Sequence, residues 1–444
     1  MGVRKLVQNT ATSCPFVYGR PVRPGEFLNR EAELRTIFNR LRNGESTAIV
    51  GEPHIGKSSL LLQLADAAVQ RTYLGGDARC LVISPLDLLP ISNDYTPAAF
   101  WAELLEPLVE HPGHATTARC LEAAAQAGYE RRPLERLFSQ LGRQGRRLVL
   151  LLDEFERLLT HPDFQTPAFF ALLRSLATRT GGLALVTASR FSVTEMNERG
   201  RNLLETGSPF FNNAIEVPLR PFDEQTVDVL LSRAGNTLSP DDRRFIRRVA
   251  GRHPFLLQAM AAAMIEMTDD DRQVRAAERF YENVSSHFDD LWCALDDRAR
   301  TTAIILSLVE LGKRALGQEF ACGEIERTAA FGPELRKLAR QGLAEKADEG
   351  WQFDWQHLLF WQGERWTVGT QAFAWWVRDV IVAEARRVPT YDEWLTNKRY
   401  RFLLTQEQWD WLVNAVRGAP EWAVRGVGTL ARALFEELVR RTQG

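Results

Sequence analysis

Apolar residues in this chain are arranged first as short runs and later as helical stripes. Thr47-Ala48-Ile49-Val50, Leu81-Val82-Ile83, Leu148 to Leu152 and Leu183-Ala184-Leu185-Val186 are runs bounded by polar turns. Their length and flanks predict short strands, the two later ones buried on both faces of a parallel sheet. Helical spacing fills the intervals: Glu31 to Leu41, a helix starting at Ser59-Leu60-Leu61-Leu62, and Thr166 to Thr178. Pro97 to Arg143 is also helical, interrupted by Pro107, Pro112 and Pro133. Ala214 to Leu219 is a weaker and last strand candidate. Alternating strands and helices predict an α/β fold with a doubly wound parallel sheet, whose ligand crevice lies at the strand C-termini. The Leu148 to Leu152 strand is expected to lie beside Thr47 to Val50.

Beyond Pro221 the pattern is helical near Glu224 to Ala234, Pro240 to Gly251 and Pro254 to Met267, which predicts a small lid domain. From Phe288 to Ile381 further helices are followed by Gly342-Leu343-Ala344-Glu345-Lys346 and a Trp-rich section, Trp351 to Trp366, suited to a β-wing. The expected organisation is an extended, proline-bearing arm over 1–26, a nucleotide-binding domain over 27–220, and the lid over 221–284. A winged-helix domain over 285–388 and a helical tail over 389–444 complete it. Ten of the twelve tryptophans lie after position 350, which core and wing packing explains, with base stacking or a protein interface as alternatives.

At 444 residues and a formal charge of -2, the chain is long enough for several cores and carries no global attraction to nucleic acid or membrane. Its five scattered cysteines suggest neither a disulfide framework nor a zinc site, and a cytoplasmic location is expected. No apolar run is long enough to span a bilayer.

The chemistry begins at Gly51-Glu52-Pro53-His54-Ile55-Gly56-Lys57-Ser58, which fits G-x-x-x-x-G-K-[ST] between a predicted strand and a predicted helix. Gly51 and Gly56 let the backbone turn N–H groups toward a β-phosphate, and Lys57 supplies an ammonium for the β- and γ-phosphates. Ser58 can ligate Mg2+, and the helix N-terminus that continues into Ser59 favours the anion. Most of the 55 basic residues are arginine, so a lysine here is informative. Asp153 and Glu154 end an apolar strand: Asp153 can hold Mg2+ through water, and Glu154 can orient and deprotonate an attacking water. Acids that merely favour a following helix N-terminus are the bland alternative. Arg190, with Ser189 or Thr187, ends the next strand and could reach a γ-phosphate; a surface arginine closing a strand is its alternative. Arg243, Arg244, Arg247, Arg248 and the Lys398-Arg399-Tyr400-Arg401 cluster read as solvated helix faces.

In several separated places the chain resembles the STAND class of signal-transducing P-loop ATPases, relatives of the AAA+ proteins. Phe27-Leu28-Asn29-Arg30-Glu31-Ala32-Glu33-Leu34 is similar to the family's F-x-G-R-E-x-E-L element near the adenine, with Asn29 in place of glycine. The phosphate loop and the Asp153-Glu154 strand match directly, and Thr187-Ala188-Ser189-Arg190 resembles the strand-ending sensor. Gly251-Arg252-His253-Pro254-Phe255 is similar to the lid element whose proline packs on the base; His253 is either a nucleotide contact or a helix-start residue. Ser208-Pro209-Phe210-Phe211-Asn212 is similar to a segment of bacterial STAND-like ATPases.

The resemblance implies binding of ATP and ADP with Mg2+, slow hydrolysis, and an ATP-dependent homo-oligomer that controls an effector in signalling or antiviral defence. Arg30 and Pro254 join the nucleotide contacts on this basis. Members of the class commonly carry an effector or a repeat sensor; this chain has room for neither, so such a partner is expected in trans, recruited by the helical tail. A DNA-binding AAA+ initiator or transposition-type ATPase is the alternative, with Arg336, Lys337 and Arg340 on a candidate groove helix beside an opposing Glu334. A nucleotide-binding scaffold without hydrolysis is the third reading, against which Glu154 argues.

Overall fold

The computed structural model describes residues 14–200, 214–268, 271–296, 298–300, 302–304, 306–307, 332–347, 351–353, 360–362, 365–385 and 427–443. The Ser208 to Asn212 element, the Lys398 to Arg401 cluster and residues 386–426 of the expected winged helix and tail lie outside them. The chain forms two compact units, Pro21–Leu219 and Met1–Arg20 together with Arg220–Gly444.

The first unit is a three-layer α/β sandwich. Its strands are β1 (Ser46–Val50), β2 (Leu81–Asp87), β3 (Arg147–Asp153), β4 (Leu183–Ser189) and β5 (Ala214–Pro218). They form one parallel sheet in the order β2-β3-β4-β1-β5. The expected adjacency of β3 and β1 is therefore corrected: β4 stands between them, pairing Leu151 with Val186 on one side and Thr47 with Val186 on the other. All seven side chains of β4 are buried, as a strand with neighbours on both edges and helices on both faces requires.

Side-chain alternation along β3 sorts one apolar run into two cores. Leu148, Leu150 and Leu152 face a cluster built by α4 (Pro97–Glu110), α6 (Arg131–Arg143) and α8 (Pro167–Arg179), including Phe100, Trp101, Phe138 and Leu173. Val149 and Leu151 face the opposite cluster, formed by α1 (Glu31–Asn43), α2 (Lys57–Ala65) and α3 (Ala67–Leu74), including Phe38, Leu41 and Leu60. Helix α5 (Ala115–Gln126) adds Leu121 and Ala124 to the first cluster. The two strand prolines, Pro85 and Pro218, fall on the sheet's edge strands, where a missing N–H is tolerated. Short helices α7 (Arg157–Thr160) and α9 (Val193–Arg199) follow β3 and β4.

The second unit is mainly helical: α10 (Glu224–Ser232), α11 (Pro240–Ala250), α12 (Pro254–Glu266) and α13 (Arg272–Cys293), then α14 (Gly332–Arg340), α15 (Gln371–Ala385) and α16 (Val427–Gln443). Helix α12 is apolar around most of its circumference and is correspondingly buried from Leu256 to Met264, apart from half-buried Gln258. Between α14 and α15, β6 (Ala344–Ala347) pairs antiparallel with β9 (Arg365–Val368), and β7 (Trp351–Phe353) with β8 (Phe360–Gln362). Trp375 and Trp376 are buried, and the Trp376 ring stacks on Phe373 at 6.0 Å, so these two tryptophans serve packing.

Helix α6 approaches the start of β4 at Gly142 and Gly182, where a Cβ on Gly182 would run into the Phe138 carbonyl. Because that obstacle is helix backbone, relief requires the helix to shift. Gly182→Ala is expected to destabilise the first unit by about 1–3 kcal/mol, read as a lower melting temperature of that unit.

Candidate nucleotide site

The phosphate loop spans the gap between β1, which ends at Val50, and α2, which starts at Lys57. Its path needs positive φ at His54 (60°) and at Gly56 (106°), the latter beyond the region a side chain tolerates. A Cβ on Gly51 would lie 2.7 Å from Ile55 Cγ2 and 3.3 Å from Leu219, so both loop glycines are required by geometry. The Gly51 N–H donates to Ser189 O (3.1 Å), and Ile55, itself buried, donates to Glu52 O (3.3 Å). Glu52 and Pro53 are half-buried, and His54 is exposed at the loop's rim.

Lys57 is 6% exposed, and its Nζ donates to Gly51 O (2.9 Å) and Glu52 O (3.1 Å). Burial lowers its proton affinity below the ordinary lysine value, against the pull of Glu154, Glu156, Asp153 and Glu52. Asp153, the last residue of β3, accepts the Ser58 hydroxyl and the Glu154 N–H, the latter at 3.0 Å. Desolvation nevertheless raises its proton affinity. Glu154 sits at φ 50° and has its proton affinity raised first by burial and then by Glu156, with Lys57 and Arg190 opposing. Phe155 N–H donates to Ala188 O (3.0 Å), which ties this turn to β4.

The strand order places Arg190, one residue past β4, between the acid turn of β3 and the loop that follows β1. Its backbone N–H donates to Glu156 Oε1 (3.2 Å), and its Nε lies 3.5 Å from the same oxygen. Glu156 was missed in the sequence; the only signal is a third acid two residues beyond Glu154, separated from it by buried Phe155. Lys57, Asp153, Glu154, Glu156 and Arg190 thus form one electrostatic group.

The remaining candidates make other contacts. Ser59 Oγ accepts the Val22 N–H (3.1 Å), tying α2 to the segment before α1. Arg30 caps α1 in a left-handed conformation (φ 78°), is nearly buried, and pairs with Glu33 (3.2 Å). Asn29, also left-handed (φ 65°), accepts the Arg30 N–H on its own Oδ1 at 2.6 Å; among residues with a Cβ, asparagine suits this conformation well, which accounts for it where the resembling element has glycine. Pro254 belongs to the second unit, where it begins α12 after buried His253. On α14, Lys337 pairs with Asp296 (2.9 Å), while Glu334 pairs with Arg298 (2.6 Å).

The residues fit the groups expected of them. A backbone loop closed to side chains, a helix N-terminus and a buried ammonium suit a polyphosphate, and the Ser58–Asp153 contact brings together the two side chains a nucleotide-borne magnesium ion would use. Among the described residues no group of three His, Cys, Asp or Glu could hold a metal without the nucleotide. No described helix is long and apolar enough to cross a membrane.

Residues 26–186 match the family model of the AAA ATPase domain, and residues 135–315 that of the AAA-like domain. No curated protein matches. Among solved structures the chain is similar to the Walker-type ATPase of Pyrococcus abyssi, at 18% identity over 81% of this chain and 98% of that one, with a TM-score of 0.49. It is also similar to the ORC2 protein of Aeropyrum pernix, in complexes with ADPNP and ADP, at 14% identity over 80% and 93% with a TM-score of 0.41. For Cdc6p of Pyrobaculum aerophilum the values are 14% identity over 83% and 98% with a TM-score of 0.35. Because the first family match starts ahead of α1 and ends inside β4, it takes in the phosphate loop, its lysine and the acid pair together, and on that ground the chain carries an AAA-type P-loop ATPase domain and is an ATP-hydrolysing enzyme.

Proposed function

We propose that this ATPase works as a STAND-like molecular switch in the cytoplasm, changing shape with its nucleotide, oligomerising when ATP is bound, and controlling a partner protein in bacterial signalling or defence. The observation that carries this reading is Leu219. It is the last residue of the nucleotide unit, its N–H donates to Val50 O (2.7 Å), and it packs against Gly51 at the root of the phosphate loop. A change in the loop is thereby felt at the residue from which the chain leaves for the second unit. Nucleotide must change the loop, because the Lys57 ammonium is engaged by the loop's own carbonyls and has to exchange them for phosphate oxygens. A ligand that shifts an equilibrium needs differential affinity for its two states, and this exchange supplies one source of it.

Within the site, Lys57 would neutralise the β- and γ-phosphates, and Ser58 and Asp153 would hold magnesium, which when bound stabilises negative charge on the phosphate oxygens. Glu154 would orient the attacking water and take its proton, and Arg190 would face the third phosphate. Arg30 and Pro254 are proposed nucleotide contacts on the strength of the resemblance alone. The pairing of Lys337 with Asp296 and the presence of Glu334 on α14 reduce the positive charge a DNA-binding helix would need, so the switch is preferred to an initiator.

Lys57→Ala is expected to abolish ATP binding, while Glu154→Gln should retain it and slow hydrolysis by about 100-fold or more; normal turnover by both variants would refute the site. Light scattering with a non-hydrolysable ATP analogue should show a mass increase over the ADP form, and an unchanged mass would exclude ATP-driven assembly. Salt-sensitive duplex binding without a protein partner would favour the initiator instead.

The site should also respond to pH in two directions. Since burial raises the proton affinity of Glu154, the base form is lost at a higher pH than for an ordinary glutamate, so kcat should fall on acidification with a midpoint above 4.5. Since burial lowers that of Lys57, ATP affinity should weaken as pH rises and do so before the ordinary lysine value of 10.5. Proton uptake on ATP binding, measured calorimetrically in two buffers at alkaline pH, checks the second expectation.

A further inference from the structure

Glu156 has no part in the reaction outlined above, yet its carboxylate is 5% exposed and lies inside the electrostatic group of the site. Its two contacts with Arg190 are made by a single oxygen. Oε1 accepts the Arg190 backbone N–H at 3.2 Å and lies 3.5 Å from Arg190 Nε. These are the two points that fix the direction of an arginine side chain, its main chain and the root of its guanidinium. The Phe191 ring, 4.8 Å from Arg190 Cζ, covers part of the guanidinium face. Among the described residues neither Nη1 nor Nη2 forms a hydrogen bond, and the Arg190 side chain is 52% exposed. A guanidinium held at Nε and on its face keeps its outer edge for a planar or polyoxygen anion.

The other oxygen of Glu156 argues the same way. Oε2 is buried without a hydrogen-bond partner among the described residues. Burying a half-satisfied carboxylate is costly, and for stability alone an amide or apolar group serves as well. A charge in this place is explained if its work is done on Arg190.

We infer that Glu156 is a positioning residue for recognition of the third phosphate: it anchors Arg190 through Nε and the backbone, leaves the Nη edge to the γ-phosphate, and so sets the preference for ATP over ADP. This rests on the reading of Arg190 as the group that meets that phosphate.

The test is calorimetric titration of the full chain with ADP and with a non-hydrolysable ATP analogue, in the presence of magnesium. Arg190→Ala should weaken the analogue about tenfold or more while leaving ADP within about twofold, as loss of a charge-assisted hydrogen bond predicts. Glu156→Gln should reproduce that selective loss, and the double variant should be no weaker than Arg190→Ala alone. Glu156→Asp, which keeps the charge but withdraws it, should lower the analogue-to-ADP preference part-way with the melting temperature retained; it provides the reading if Glu156→Gln fails to fold. An equal loss for both nucleotides, no loss, or additive effects in the double variant would overturn the inference and leave the role of Arg190 standing. An unchanged preference in Arg190→Ala would overturn both.

Discussion

A lysine ammonium that is 6% exposed governs the arrangement of the nucleotide unit. Water's solvation is lost there, and the fold replaces it with two carbonyls of the phosphate loop and the field of four nearby carboxylates. The replacement is incomplete, since the proton affinity of Lys57 remains below its ordinary value. On the proposed assignment, nucleotide phosphates would complete it. The loop holds the carbonyls of Gly51 and Glu52 toward the lysine, with left-handed backbone at His54 and Gly56. Everything that fixes the loop, from Ser189 O at its start to Leu219 beside Gly51, serves that demand.

Strand order then decides which groups can share the crevice. With β4 between β3 and β1, the acids and the phosphate loop are separated by one strand, and the residues ending that strand stand between them. Ser189 supports the loop through its carbonyl, Ala188 supports the acid turn through Phe155, and Arg190 carries the charge. A strand with seven buried side chains makes a stiff support for all three contacts.

Much of this was legible because it rests on local chemistry. The apolar runs at β1, β3 and β4, the glycines, Lys57, and the acids after β3 announce themselves by composition and spacing. Strand adjacency does not, because a buried parallel strand reads alike whether its neighbour is β1 or β4; pairing Thr47 with Val186 is a tertiary choice. Glu156 was hidden for a related reason. A third acid after a strand looks like part of a polar turn, and only the fold returns it under Arg190. Asn29 was visible as a departure from glycine but became intelligible through its φ of 65° and the bond from Arg30 to its own side chain.

The backbone at Glu154 is left-handed. A glutamate at φ 50° costs on the order of 1–3 kcal/mol, and a glycine there would remove the strain. The fold holds it in place from both sides, with Phe155 N–H on Ala188 O and Arg157 N–H on the Glu154 carbonyl. It also half-buries the residue close to Glu156, a like charge that raises its proton affinity further. Strain, desolvation and repulsion all act against this residue as a structural element. Each supports the proposed role of Glu154 as a base held just beyond β3, where its direction would matter more than the stability it costs.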